Sequence, residues 1–250
     1  MSDNHVIIEA FTELASRYEK VVDSELQRFW GWSYEGFIEN LIDLAQVCEE
    51  DVVLDVATGT AIIPLMLTNK GKIKGKIVGL DITLAMLEKA MRKINSNEIT
   101  TRILLTCGSA MAMPFRDGLF DVILCGLATH HLDVPVVLAE MHRVLKESGK
   151  LTIADVGGTT AWRLPMIKAM IRVATFFYFL PGEGYARARS EAAALSNVYT
   201  AEEWKEILVE LGFENIKIIN LHTNHFWSPT PLVICAEKIL KESQNAYVSR

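Results

Sequence analysis

The sequence lacks several features that would fix a protein's class at once. Only 4 cysteines occur in 250 residues. Cys48, Cys107, Cys125 and Cys235 form no CxxC pair, which removes a zinc ribbon and a thioredoxin-like redox motif. So few cysteines in so long a chain also argue against a disulfide scaffold. Positive charge is not in excess: 25 Lys+Arg stand against 31 Asp+Glu, a formal net charge of −6. The electrostatic footprint of a nucleic-acid partner is therefore missing. No long apolar run is present either. The most apolar later stretch, residues 173–180, follows Lys168 and Arg172 and is far shorter than a membrane span. The first twenty residues carry acids and do not read as a secretory signal. A cytoplasmic protein without stable membrane insertion is expected.

What is present is apolar material, 50% of the chain, enough for a sizeable core in a single domain over residues 1–250. Residues 6–30 have helical but irregular spacing, with Phe11, Leu14, Ala15 and Tyr18 on one side. Three aromatics around Gly31 (Trp30, Trp32 and Tyr34) break the pattern, and a helix resumes over 35–47. Strand and helix then alternate. Strands are expected at 52–56, 76–80, 102–107, 120–125 and 150–156, with helices at 61–67, 83–93 and 134–146. Such repetition predicts a mostly parallel sheet covered by helices. After Asp155 the pattern changes. Residues 158–198 read as a helical insertion over the open end of the sheet, broken at Pro181-Gly182, and residues 1–48 as N-terminal helices completing that lid. Thr200 and Glu203 fit a capping box for a helix at 201–211. Strands at 215–222 and 231–236 read as a terminal hairpin, which brings the sheet to seven strands.

The first motif with chemical content is the turn after the first strand, with Asp55, Ala57, Thr58, Gly59, Thr60 and Ala61. Small residues there let backbone approach a ligand at the carboxyl ends of the strands. Asp81 ends the second strand about 20 residues further on, where an acid accepts both ribose hydroxyls of an adenosine. The dinucleotide fingerprint GxGxxG fails, because Ala57, Gly59 and Ala61 stand where its start would be, with no glycine at its end. Asp55 would repel a pyrophosphate and suits a cationic amino-acid end. A ligand with a ribose, an amino group and no phosphate fits: S-adenosylmethionine.

On these segments the chain resembles the class I S-adenosylmethionine-dependent methyltransferases, and among them the ubiquinone/menaquinone biosynthesis C-methyltransferases. The resemblance is carried by 53–61; by Gly79, Leu80 and Asp81 with Met86 and Leu87; by Gly108, Ser109 and Ala110 with Met113, Pro114, Phe115, Phe120 and Asp121; and by Glu140 to Lys146. It covers roughly residues 10–156. It implies an α/β, Rossmann-like fold with S-adenosyl-L-methionine as cofactor. By matching position, Asp55, Ala57, Thr58, Gly59 and Thr60 would lie at the methionine end, Asp81 on the ribose and Ile82 on adenine, with Met86 also in the cofactor site. Ser109 and Ala110 would meet the adenine edge, Gly126 would lie under the methionine portion, and Tyr18 would close over the cofactor. Two positions depart from the pattern: Ala61 replaces the usual glycine, and Ser109 replaces the usual acid, its hydroxyl still able to accept.

Methyl transfer asks the protein to align an acceptor, exclude water and sometimes remove a proton. The candidate bases are His130 and His131, just past the fourth strand. Asp133 before Pro135 reads as a helix cap, and Glu140 with Arg143 as a structural ion pair. His222 and His225 lack a third ligand nearby in sequence, and no metal is expected. Trp30, Trp32, Tyr34, Trp162, Tyr178, Tyr185, His225 and Trp227 are candidate substrate contacts, which point to an apolar small-molecule acceptor: aromatic, quinol-like or isoprenoid. Arg163, Arg172, Arg187 and Arg189 are candidates to meet an anionic group on it. The leading reading is methylation of oxygen or carbon by in-line displacement, in a monomer or homodimer. A non-methylating protein on the same fold, a cyclase, isomerase or inactive partner, stays open beside it. Protein or nucleic-acid methylation is disfavoured by the acidic charge and by Cys125-Gly126-Leu127-Ala128 where Asn-Pro-Pro-aromatic would stand.

Overall fold

The computed structural model describes residues 3–71, 73–96, 102–223 and 229–239. Three helices come first: α1 (Asp3–Leu14), α2 (Tyr18–Trp30) and α3 (Tyr34–Ala45). The irregular N-terminal pattern is thus two helices separated by a turn. Gly31 ends α2 in the left-handed region at φ 78°, and the Ser33 hydroxyl accepts from Gly36 N to start α3. The alternating section follows: β1 (Val53–Val56), α4 (Ile62–Asn69), β2 (Ile77–Asp81), α5 (Leu84–Ser96), β3 (Ile103–Cys107), β4 (Phe120–Gly126), α6 (Val134–Val144) and β5 (Leu145–Val156). Asp133 caps α6 by accepting from Val136 N. The last elements are α7 (Pro165–Ala194), α8 (Ala201–Glu210), β6 (Phe213–Asn220) and β7 (Pro231–Lys238).

The sheet has seven strands in the order β3-β2-β1-β4-β5-β7-β6. The first five are parallel, with Val53 beside both Ile77 and Val122. β7 runs antiparallel between β5 and β6, so the expected hairpin is present and docks through its second strand. Strand order reverses between β1 and β4. In open α/β sheets that reversal opens a crevice at the carboxyl ends of the strands, where ligands bind. Apolar clusters fill both faces of the sheet. One, with Phe37, Leu41 and Leu67, lies under α2 to α5; the other, with Phe120, Met141 and Trp204, lies under α6 and α8. Burial on both faces explains why β1 and β2 are buried at every position instead of alternating.

Thr200 and Glu203 form the expected capping box, each side chain bonding the other's backbone N–H. α7 departs from expectation. Its two arms meet at Gly184 (φ 85°, ψ 175°), and Pro181 lies inside the first arm. Proline's fixed φ is compatible with helix, and only a residue without Cβ takes the Gly184 conformation freely.

Candidate active site

The loop after β1 is built on three left-handed residues: Ala57 (φ 56°), Gly59 (φ 52°) and Ala61 (φ 61°). Thr58 N donates to Leu80 O at 2.9 Å, and Ala61 N to Thr58 O at 2.9 Å, so the loop is pinned to β2 and closed on itself. Gly79 makes this possible: a Cβ there would stand 2.8 Å from Thr58 Oγ1. The Asp81 carboxylate braces the loop from the side. It accepts from Gly59 N at 2.9 Å and from Thr83 N at 2.8 Å. Burial raises the Asp81 pKa, and those N–H donors hold back only part of the rise.

These elements wall a narrow cleft with an inner volume of about 80 Å³. Tyr18, Ala57, Gly59, Asp81, Ile82, Met86, Ser109, Ala110 and Gly126 line it. Tyr18 sits over Gly59, its ring 3.9 Å from where a Cβ would be, and burial pushes its phenol up to about 12. Three of the expected contacts stand behind the wall. Asp55 is buried and accepts from Thr58 Oγ1 at 2.6 Å. Burial takes its pKa up to about 8, and its Oδ1 has no hydrogen-bond partner among the described residues. Thr60 donates to Glu19, which also accepts from Lys93 at 2.7 Å, so Thr60 ties the loop to α2 and α5. Ser109 Oγ accepts from Met111 N at 3.2 Å.

A second, larger pocket of about 550 Å³ opens beside the cleft, within the usual range for a small-molecule site. The two share Phe11, Tyr18, Leu127 and His131. Trp30, Trp162 and Tyr178 line the second pocket, as do His130 and His131. Trp30 is fixed there by donating Nε1–H to Pro229 O at 2.6 Å. Trp32, Tyr34 and Tyr185 are not brought to it. Trp32 donates to His222 O, Tyr34 packs edge-on against Tyr18 in the core, and Tyr185 is exposed against Phe176. His225 and Trp227 lie outside the described residues.

His130 is held by a group that the sequence does not flag. Asp155, buried at the end of β5, lies 2.6 Å from His130 Nδ1 and also accepts from Thr129 Oγ1 and from His130 N. β4 and β5 are neighbours, which brings the end of one to the loop after the other. Burial alone would push the His130 pKa down. The charge and hydrogen bond of Asp155 outweigh it, and the imidazole ends above its ordinary value. His131 goes the other way, lowered by burial and by His130 beside it.

The pocket also holds a buried charge cluster from α2 and α7. Arg187 Nε lies 2.8 Å from Glu191 Oε1, and Arg187 Nη2 lies 3.3 Å from Glu25 Oε2. Arg187 Nη1 is buried with no hydrogen-bond partner among the described residues. Arg187 holds Glu191 ionised despite burial, whereas burial takes Glu25 up to about 7. His130, His131 and Glu191 bring three potential metal-ligand atoms within 4.8 Å of one another, a grouping that sequence spacing does not show. Glu191 there already pairs with a fixed cation, Arg187. Of the remaining arginines, Arg163 pairs with Glu203, and Arg172 and Arg189 are exposed. Glu140 and Arg143 form the expected ion pair at 2.7 Å.

A methyltransferase domain family matches residues 54–153. The ubiquinone/menaquinone biosynthesis C-methyltransferase UbiE of Geotalea uraniireducens is 30% identical over 227 residues, which cover 86% of this chain and 91% of that protein. The demethylmenaquinone methyltransferase of Lactobacillus johnsonii is 28% identical over 218 residues, 85% of this chain and 86% of that one. Among solved structures, the geranyl diphosphate C-methyltransferase of Streptomyces coelicolor superposes with a TM-score of 0.67 at 16% identity, covering 89% of this chain and 81% of that chain. At that identity the likeness concerns the fold.

Proposed function

From the premise that the chain belongs to the ubiquinone/menaquinone biosynthesis C-methyltransferase family and is an S-adenosylmethionine-dependent methyltransferase, we propose that it methylates a small, apolar, quinol-like aromatic acceptor. The methyl group goes to a ring carbon beside a phenolic hydroxyl, or to the oxygen itself. The observation that carries this reading is the junction of the two pockets at Phe11, Tyr18, Leu127 and His131, with the Asp155-bound His130 in the wall of the second.

The residues present fit the donor. Asp81 keeps lone pairs for ribose hydroxyls beyond the two N–H groups that it already accepts. Ile82 and Met86 offer apolar surface to adenine, with Ser109 and Ala110 at its edge. Gly59 and Gly126 line the cleft where the methionine portion would lie, and Tyr18 covers it. Asp55 places negative charge beneath a cationic end when ionised, with Thr58 and Thr60 holding the loop in place. When bound, S-adenosylmethionine supplies a methyl group on a sulfonium, and the bonding pair stays on sulfur as S-adenosylhomocysteine leaves.

The chain's own residues do the rest. Asp155 accepts His130 Nδ1–H, which leaves Nε2 as the free base to take the acceptor's hydroxyl proton; in carbon methylation the hydrogen on the methylated ring carbon then leaves as a proton and the oxygen regains one, so the net release is one proton. Arg187 Nη1 meets the oxygen charge that remains. His131 borders both pockets and sets the distance between donor and acceptor. Trp30, Trp162 and Tyr178 wall the acceptor and keep water out. On this reading the chain acts as one catalytic domain, roofed by residues 1–48 and 158–198.

The test is incubation of the purified protein with S-adenosylmethionine and a short-chain naphthoquinol, with S-adenosylhomocysteine and methylated product followed by mass spectrometry. Both products in equal amount support the reading. Tight cofactor binding without turnover across phenolic and quinol acceptors would overturn it in favour of a non-methylating role.

A further inference from the structure

The first arm of α7 has two apolar faces. One, with Ile171, Ala174, Thr175 and Tyr178, lines the acceptor pocket. The other carries Met166 (85% exposed), Met170 (65%), Val173 (56%) and Phe177 (63%). These four recur at i, i+4, i+7 and i+11, so they form one stripe along the helix. Large side chains rarely gather in water without a partner. No helix among the described residues is long and apolar enough to cross a membrane, which leaves partners that lie along this one.

Charge selects among them. Residues 159–182 contain no Asp or Glu but include Arg163, Lys168 and Arg172, in a chain of net charge −6. Arg163 pairs with Glu203, while Arg172 is exposed on the flank of the stripe. A second copy packed about a two-fold axis would set this basic patch against itself. An anionic lipid surface complements both its charge and its apolar stripe.

We propose that residues 164–180 seat the protein on an anionic bilayer surface. Met166, Met170, Val173 and Phe177 enter the boundary between headgroups and acyl chains, and Arg172 lies among the lipid phosphates. The adjoining face of the same helix, with Ile171, Ala174 and Tyr178, then brings the acceptor pocket to the membrane. This surface is independent of the acceptor's identity, because neither donor nor acceptor takes part in the contact.

The test is flotation of the full-length protein with vesicles of phosphatidylglycerol and phosphatidylcholine in equal parts, against phosphatidylcholine alone, at low salt. The protein floats with the anionic vesicles and about tenfold less with the neutral ones. Met170→Glu and Phe177→Glu each lower the bound fraction about tenfold, with the melting temperature and S-adenosylmethionine binding unchanged. Arg172→Glu weakens binding to the anionic vesicles alone. Absence of flotation, or flotation indifferent to both glutamate variants, would overturn the proposal. So would a dimer in sedimentation velocity that Phe177→Glu dissociates, because the stripe would then belong to a second copy. Failed flotation with methyl transfer to a water-soluble acceptor intact sinks this inference alone; the reverse result sinks only the proposed function.

Discussion

The Asp155 carboxylate, at the end of β5, grips His130 Nδ1 at 2.6 Å across the gap between two neighbouring strands. The contact does two things. It orients the ring with Nε2 free, and it places a negative charge beside an imidazole whose burial would otherwise keep it neutral. Asp155 is itself kept ionised by His130 and Thr129 against its own burial. The pair is therefore coupled, and each residue's protonation depends on the other.

Asp155→Asn removes the charge and keeps the shape. Turnover is expected to fall by about 10²- to 10⁴-fold, while S-adenosylmethionine affinity stays as it was. The base acts when His130 is unprotonated, so wild-type activity rises with pH through a His130 pKa held above its ordinary value. In Asp155→Asn that rising limb moves to lower pH. Release of S-adenosylhomocysteine measured across pH checks both effects, and an unmoved limb would clear His130 of the role.

Asp81 is expected to be the main polar anchor of the cofactor. Asp81→Ala removes the ribose acceptor and the brace on Gly59 N together. Affinity for S-adenosylmethionine should drop at least about tenfold, or about 1.4 kcal/mol, by calorimetric titration. Asp81→Asn keeps one acceptor oxygen and should lose less.

The fold was legible wherever local chemistry decided it. β1 and β2 are mostly apolar because both their faces are covered, and Asp81 stands out as an acid ending β2. The Thr200–Glu203 capping box lies within four residues of sequence, and its geometry follows from its composition. The acceptor pocket was less legible because its polar contacts span the chain. Asp155 meets His130 only because β4 and β5 are adjacent, and Glu25 meets Arg187 only because α2 and α7 pack around one pocket. Aromatic content overstated that pocket. Tyr34 is as aromatic as Tyr178, but its helix faces the sheet, and composition carries no direction. One signal was available: an aspartate ending the buried β5, beside the strand that leads to two histidines.

Ala61 occupies a conformation that suits glycine. It is buried with φ 61° at the start of α4, and its Cβ meets the left-handed penalty of about 1–2 kcal/mol. Ala61→Gly removes that penalty and adds about 0.5–1 kcal/mol of chain entropy to lose on folding. The net expectation is a gain of about 0.5–1 kcal/mol, read as a higher urea midpoint at unchanged slope. A loss of stability would show that the methyl group's packing outweighs the strain.

Glu25 should make stability depend on pH in the direction opposite to that of an ordinary ion-paired acid. Its pKa rises from 4.5 to about 7 in the folded chain, because burial outweighs the attraction of Arg187. Between those two values the folded state binds the extra proton, so stability falls as pH rises through that window. The loss is complete above about 7. Glu25→Gln keeps the shape and removes the titration. It should therefore match the wild type near pH 4.5 and exceed it by about 3 kcal/mol at pH 8. Urea unfolding of both proteins at the two pH values checks the sign. If the variant is less stable at pH 8, the Arg187 ion pair dominates and the carboxylate is ionised throughout that range.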